Sequence, residues 1–259
     1  MGSRTSPNVD AFINDGLVCL RGAFPREVAD ACRSLLWQEI GSSPDDPSTW
    51  TQPVVRVFDM TQSPFVEAAN TPVLHDAFNT LVGRDRWQPR PSIGGIPIRF
   101  PHPGDPGDTG WHIDAGFAPP DDPGTVDFQH WRSNVWSDGR ALLMLFLFSD
   151  VGERDAPTLI RIGSHLRMPS ILEPFGRAGT TSFLDYSCTD DLPEVLATGE
   201  AGDVYLCHPF LVHSAQPNID GTPRFMGQPP LHLVEGIGYE LDGPSPVEQA
   251  IRLGLADRA

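Results

Sequence analysis

The rhythm of apolar positions changes once along this chain, near residue 93. Before it, apolar residues mostly recur at helical spacing. Phe12 and Ile13 give a short helix its apolar side, Asp15-Gly16 breaks it, and Leu17-Val-Cys-Leu20 follows as a compact buried strand. Pro25 is placed to open a helix at its first position; Val28, Ala31, Cys32, Leu35, Leu36 and Ile40 continue it, and Gly41 stops it. Ser42 to Thr49 is a loop. Trp50 to Met60 alternates weakly around Val55, Arg56 and Val57 and reads as an edge strand or a lid. Pro64 to Asn70 and Pro72 to Val82 read as two short helices, each opened by a proline, the second closed by Gly83.

After residue 93, short runs of β-branched and aromatic residues alternate with Gly/Pro turns. They are Ile96 to Phe100, Ala141 to Phe148, Thr158 to Ile162, Val204 to Cys207, Leu211 to His213 and Arg224 to Val234. Many short strands at such intervals predict a sandwich or barrel. Pro101 to Gly110 is a proline- and glycine-rich loop. Ala115 to Arg140 is a long insertion carrying Phe117, Phe128, His130, Trp131, Arg132, Asn134 and Trp136; a loop of this length inside a compact fold is a candidate pocket wall. Pro244 to Leu255 reads as an amphipathic helix. The expectation is one domain over residues 1–259, with an N-terminal helical part (about 8–90), a β core (about 91–235) and a C-terminal helix (about 244–256).

Composition narrows the partners. The 259 residues are 39% hydrophobic, enough for one substantial core, and carry a net charge of -16. Such a surface repels phosphate backbones and anionic membranes, so no nucleic acid and no membrane is expected as partner. The same balance favours a small, non-phosphorylated substrate over a coenzyme A ester. Cys19, Cys32, Cys188 and Cys207 form no CxxC pair and read as scattered thiols in a reducing compartment. The N-terminus lacks an apolar run behind a basic cluster, and the longest apolar run, Ala141 to Phe148, is far short of a membrane span. The chain reads as a soluble cytoplasmic protein, monomer or homodimer.

Gly110-Trp-His112-Ile-Asp114 offers an imidazole and a carboxylate two positions apart, which a strand end points to one side. A second histidine turns this pair into a facial triad of the kind used by non-haem Fe(II) oxygenases. Two candidates stand about a hundred residues further on. His208 precedes Pro209, which interrupts a ladder, whereas His213 follows a fresh apolar pair, Leu211-Val212. His213 is preferred, and His208 is expected as a packing or supporting histidine. Gly163-Ser164-His165 reads as a turn, with Ser164 capping the turn after it; a ligand role for His165 is the alternative. Arg224 is either a clamp for an anionic co-substrate, using its planar fork, or one half of a structural salt bridge.

Taken together, Asp15-Gly-Leu-Val-Cys-Leu-Arg-Gly-Ala-Phe-Pro25, His112-Ile-Asp114, Gly163-Ser-His165, Gly202-Asp203 and His213…Asn218…Arg224 stand in an order and spacing that resembles the phytanoyl-CoA dioxygenase-like (PhyH) family, over about residues 8 to 235. The resemblance implies a mainly β fold with flanking helices, the double-stranded β-helix or jelly roll of cupin type. It implies an Fe(II)- and 2-oxoglutarate-dependent oxygenase that also consumes O2. His112, Asp114 and His213 would be the iron ligands, and Arg224 the partner of the distal carboxylate of 2-oxoglutarate. The chain departs from the family where relatives carry Pro-Gly-Ser-His, here Ile162-Gly-Ser-His165, and where they carry a serine two residues after the distal histidine, here Ala215. Ser214 or Thr158 would replace that hydroxyl, and Arg99 would supply the basic group that relatives place before the HxD.

The carboxylate of Asp114 argues against halogenation, because halogenating relatives put a small residue there. The expected reaction is oxidation of a C–H bond, hydroxylation first, in a natural-product or amino-acid-type metabolite. Phe117, Trp131 and Trp136 would give the pocket an apolar wall, and His130, Arg132 or Asn134 a polar anchor. A cupin-type isomerase or hydrolase, or a silent binding relative, are the alternatives.

Overall fold

The structure, a computed structural model, describes residues 6–256. The first five residues of the N-terminal stretch, which bears on targeting signals, lie outside the described residues. Helix α1 (Val9–Asp15) opens on Asn8, whose side-chain oxygen accepts from the Ala11 amide at 3.1 Å, and closes at Gly16. Gly16 is required twice over. Its φ is 86°, and a Cβ there would stand 2.5 Å from Nδ1 of His165. The chain then enters β1 (Leu17–Leu20).

Helix α2 (Arg26–Ile40) ends at the left-handed Gly41 as expected, but Pro25 is its cap in extended geometry and not its first helical residue. Strand β2 (Val54–Phe58) follows, then α3 (Ser63–Ala69) and α4 (Pro72–Leu81), each with a proline in the first turn, where no amide donor is needed. Strand β3 (Gly95–Arg99) pairs with β2, so the 50–60 segment is an edge strand.

The β core consists of short antiparallel strands. They are β4 (Arg132–Ser133), β5 (Leu142–Leu147) and β6 (Leu159–Arg161), then, after helix α5 (Met168–Leu172), β7 (Thr180–Thr181), β8 (Glu194–Leu196), β9 (Val204–Cys207), β10 (His213–Ser214), β11 (Met226–Gly227) and β12 (Pro230–Leu231). Helix α6 (Pro246–Ala256) ends the described chain. The larger sheet runs β1-β9-β5-β11, with β12 also on β5, and the smaller runs β10-β6-β8. This is the double-stranded β-helix, or jelly roll, with helices packed on the larger sheet.

Strand β5 explains why the two layers hold. All six of its residues are buried. Leu142, Met144 and Phe146 face a core shared with Phe12, Ala29, Cys32, Leu36, Phe65 and Phe78 of the helices. Leu143, Leu145 and Leu147 face a second core with Ile160, Tyr205, Cys207 and Met226, between the sheets. A period of two thus serves two cores, which is why the sequence reads there as an unbroken apolar run. Each such side chain contributes roughly 1.5–3 kcal/mol of burial.

Three expectations change. The run from Arg224 to Val234 is not one strand: it splits into β11 and β12 around Gln228-Pro229, because proline cannot donate to the ladder. Leu211 and Val212 lie outside β10; the Leu211 amide closes a turn on the His208 carbonyl, and the Val212 amide donates to Ser164 Oγ at 2.8 Å. Ser164 therefore ties two segments together and does not cap its own turn. The four cysteines are free thiols, and among the described residues no helix is long and apolar enough to cross a membrane.

Candidate metal centre

His112 reaches its position by being stitched to β10. The amides of His112 and His213 each donate to the other's carbonyl at 3.0 Å, so the two residues oppose one another as an antiparallel pair. Their rings lie 4.4 Å apart. Nδ1 of His112 donates to the Gly110 carbonyl at 2.8 Å, and Nδ1 of His213 to the Leu211 carbonyl at 3.0 Å. Each bond leaves Nε2 free, as a metal-ligating imidazole requires. The Nε2 atoms stand 3.8 and 3.7 Å from Oδ1 of Asp114. One atom from each of His112, Asp114 and His213 falls within 4.8 Å of the others, the sole such grouping among the described residues. Two neutral nitrogens and one carboxylate oxygen, facing each other around a common point, fit a divalent metal such as Fe(II).

The electrostatics favour ligation. Burial pushes the His213 imidazole down to about 4, with His112 adding to the effect, so it is neutral near pH 7. Burial raises the Asp114 carboxyl, but Arg140 and the two imidazoles outweigh it and hold it below the usual range. Arg140 is the residue that sequence reasoning missed here, having marked it as no more than the end of an insertion. Its Nη1 sits 3.2 Å from Oδ2 of Asp114, while Nε and Nη2 donate to the Ala115 carbonyl. The Ser133 hydroxyl holds the Asp114 carbonyl at 3.1 Å. Between the two ligands, the Ile113 amide donates to the Tyr186 hydroxyl, which donates to the Ser182 carbonyl.

A cavity of about 590 Å³ opens over the triad. Arg99 lines it; Arg224 does not, but lies directly opposite Arg99, the two exchanging backbone hydrogen bonds of 3.0 and 2.9 Å. Like charges directly opposite on antiparallel chains repel. Arg99 is relieved by Asp108 at 2.6 Å, an acceptor it shares with Arg56. Among the described residues Arg224 has no carboxylate partner: Nη1 and Nη2 donate to the carbonyls of Ala156 and Pro97. Burial pushes its guanidinium down to about 9, Arg99 adding to the shift and Asp108 opposing it. Nε and Nη1 of Arg99 and Nε of Arg224 are buried without a hydrogen-bond acceptor among the described residues. Buried donors of this kind call for an anion, and a carboxylate group of 2-oxoglutarate fits the demand.

The other sequence candidates scatter. Thr158 is buried with its hydroxyl on the Met226 sulfur, away from the cavity. Ser214 accepts from the Gly110 amide at 3.1 Å and so anchors the entry to the HxD. Of the insertion, Trp131 lines the cavity, together with Phe128, against which it packs. Phe117 bridges to Arg132, which reaches the Ala178 carbonyl; His130 is exposed beside Asp127; Asn134 is buried on Asp138 and the Arg177 carbonyl; Trp136 lies under Arg177. These five hold the insertion's own shape and do not line the cavity. His208 and His165 pack on one another elsewhere, 4.9 Å between rings, bonded to the carbonyls of Val247 and Ile13. Neither is near the triad, in line with their structural readings.

The comparisons agree with this geometry. The family model described as phytanoyl-CoA dioxygenase (PhyH) matches residues 12–226. No curated protein matches the chain. Among solved structures, the epimerase SnoN in complex with Fe3+, alpha ketoglutarate and nogalamycin RO superposes with a TM-score of 0.60 at 18% identity, covering 92% of this chain and 91% of that one. EctD from S. alaskensis with 2-oxoglutarate and 5-hydroxyectoine gives 0.57 at 19% identity, over 90% and 76%. The carbocyclase SnoK gives 0.52 at 18%, over 87% and 82%. At these identities the likeness establishes the shared fold.

Proposed function

The chain belongs to the phytanoyl-CoA dioxygenase (PhyH) family of 2-oxoglutarate-dependent non-haem iron oxygenases, and from that premise we propose that it oxidises an unactivated C–H bond of a small organic molecule, with hydroxylation as the outcome. The observation that carries the reading is the convergence of His112, Asp114 and His213 beside two arginines whose buried donors lack an acceptor.

In this reading His112, Asp114 and His213 are the residues that would hold the iron. With 2-oxoglutarate and O2, bound iron supplies an oxidant able to take hydrogen from a C–H bond, with release of succinate and CO2. The chain's own residues set the conditions. The carbonyls of Gly110 and Leu211 fix both imidazoles with Nε2 presented inward. Arg140 occupies Oδ2 of Asp114, so Oδ1 is the oxygen turned toward the imidazoles. Arg99 and Arg224 receive the distal carboxylate of 2-oxoglutarate, which satisfies their orphaned donors and relieves their mutual repulsion. Phe128 and Trp131 line the cavity and offer the substrate an apolar surface.

Solved relatives of this fold are named epimerase and carbocyclase as well, so one scaffold hosts several fates of the oxidised carbon. Asp114 keeps its carboxylate, which leaves no small-residue gap for a halide and supports oxygen insertion over halogenation. The test is succinate release from 2-oxoglutarate with Fe(II) in air, followed by mass spectrometry of the second substrate. Gain of one oxygen fits hydroxylation; unchanged mass means epimerisation, and loss of two hydrogens means desaturation or ring closure. Iron-independent conversion without succinate would replace the oxygenase by a cupin-type isomerase or hydrolase.

A further inference from the structure

The charges lining the cavity do not cancel. Arg56 and Arg99 share Asp108, and Arg140 is held by Asp114. Arg90 has no such partner. Only 8% of it is exposed, no carboxylate among the described residues lies within 4.0 Å of its guanidinium, and its one side-chain hydrogen bond runs from Nε to the Ser92 carbonyl at 3.3 Å. Asp59 also lines the cavity, but it accepts from the Ser92 hydroxyl and not from Arg90. A guanidinium buried this far without an anion is costly.

Its placement is fixed. The Arg90 amide donates to Oδ1 of Asn70 at 3.1 Å, and its carbonyl accepts from Nδ2 of the same side chain at 2.8 Å. Asn70 ends α3, so the arginine is pinned to a helix terminus. Nη2 points toward Gly94, which has no side chain to fill the space beside it: a Cβ there would stand 3.6 Å from that nitrogen. Two polar groups share the wall. The side-chain amide of Gln228 has no hydrogen bond among the described residues, and His232 donates Nδ1 to the Gly139 carbonyl at 2.9 Å, leaving Nε2 free.

This centre is separate from the one assigned to 2-oxoglutarate. Arg90 stands beside Ser92 and Gly94, whereas Arg99 is held by Asp108 and Arg224 by the carbonyls of Ala156 and Pro97. A five-carbon diacid engaged at the metal and at Arg99 and Arg224 leaves the second centre unanswered. We propose that Arg90, with Gln228 and His232 beside it, anchors a carboxylate of the substrate, so that the substrate is a small organic acid whose apolar part lies against Phe128 and Trp131. A guanidinium with an amide and an imidazole beside it and no carboxylate within 4.0 Å among the described residues suits a monoanion. The net charge of -16 makes this basic wall a local exception that selects for acids once they have entered. The inference rests on the oxygenase reading for its division of the cavity.

The test uses the Fe(II)–2-oxoglutarate-loaded protein without O2 and titrates it calorimetrically with a set of arylalkanoic and alkanoic acids, each beside its primary amide and its amine. Acids are expected to bind about tenfold or more tightly than their amides, the difference of one charge-assisted contact. R90Q should erase that difference, and R90K should keep much of it, which separates loss of the charge from loss of the fold. No acid binding above its amide, a preference for the amines, or an acid preference that survives R90Q would each overturn the proposal. Binding of 2-oxoglutarate itself is titrated on the same protein with and without Fe(II). If that binding is absent or independent of iron, the oxygenase reading fails; an acid preference abolished by R90Q would still support the anion subsite.

Discussion

Among the described residues, histidines pack ring against ring in two pairs. His112 and His213 lie 4.4 Å apart with ring planes at 53°; His165 and His208 lie 4.9 Å apart at 49°. Both pairs bond to backbone carbonyls. The difference is what else reaches them. Asp114 stands within 4 Å of both imidazoles of the first pair, and a cavity opens over them. The second pair meets Phe12, Phe210 and the C-terminal helix, is fully buried, and has no carboxylate within 4.0 Å among the described residues. A histidine pair becomes a metal centre through a third ligand and an approach, and without them it is a polar rivet in a core.

Breaking the first pair should have the largest effect. H112A, D114A or H213A is expected to cut Fe(II)-dependent succinate formation by at least about a thousandfold; turnover that persists in D114A would place the iron elsewhere. Breaking the second should cost fold and spare chemistry. H208A removes a fully buried ring and should lower stability by about 2–4 kcal/mol in urea unfolding, with Fe(II) affinity intact. Loss of metal at normal stability would join the two pairs into one system.

Acid should act on one member of each pair when the protein is metal-free, His213 in the first and His165 in the second. Burial holds His213 and His165 at about 4, against about 6.5 in an unfolded chain. The unfolded state therefore binds more protons between those values. Stability is complete above about pH 6.5 and falls as pH drops toward 4, by on the order of 1–3 kcal/mol for each histidine. Urea midpoints across that range measure it. Midpoints that stay flat from pH 7 to 4 would mean that the imidazoles are not buried neutral.

Smaller effects sharpen the contrast around the centre. R224A and R99A should raise the half-saturating concentration of 2-oxoglutarate by about 10–100-fold while moving kcat less; an unchanged value would send the anion elsewhere. Y186F removes the hydroxyl between the Ile113 amide and the Ser182 carbonyl. It should cost about 1 kcal/mol of stability and leave iron binding nearly as it was.

How much of this was legible in the sequence depends on range. Helices α1 to α4 and strands β5 and β9 are written in local periodicity and in glycine or proline punctuation, and they emerge where the pattern places them. His112, Asp114 and His213 were legible because two lie in one short motif and the third comes after an apolar pair in the order of the family. Arg140 and Arg90 were not. Arg140 meets Asp114 from 26 positions further along the chain, past the two-residue β4, and Arg90 is fixed by an asparagine at the end of α3; neither contact leaves a periodic trace. Strand β8 escaped for a similar reason, being short and partly exposed, with its pairing supplied by β6 alone. The aromatic insertion misled in the other direction. Its side chains resemble a pocket lining, yet most of them hold the insertion together.

Strand β1 lies along β9, Leu17 opposite Cys207, and α1 just before it packs on α6. In the order of synthesis, β1 must wait for β9. The edge of the larger sheet stays unpaired until about 190 more residues have been added, which makes late closure and slow, non-local folding a built-in property of the molecule. The carbonyl that satisfies His208, on Val247, arrives later still. The core therefore closes only when segments far apart in the sequence are both present.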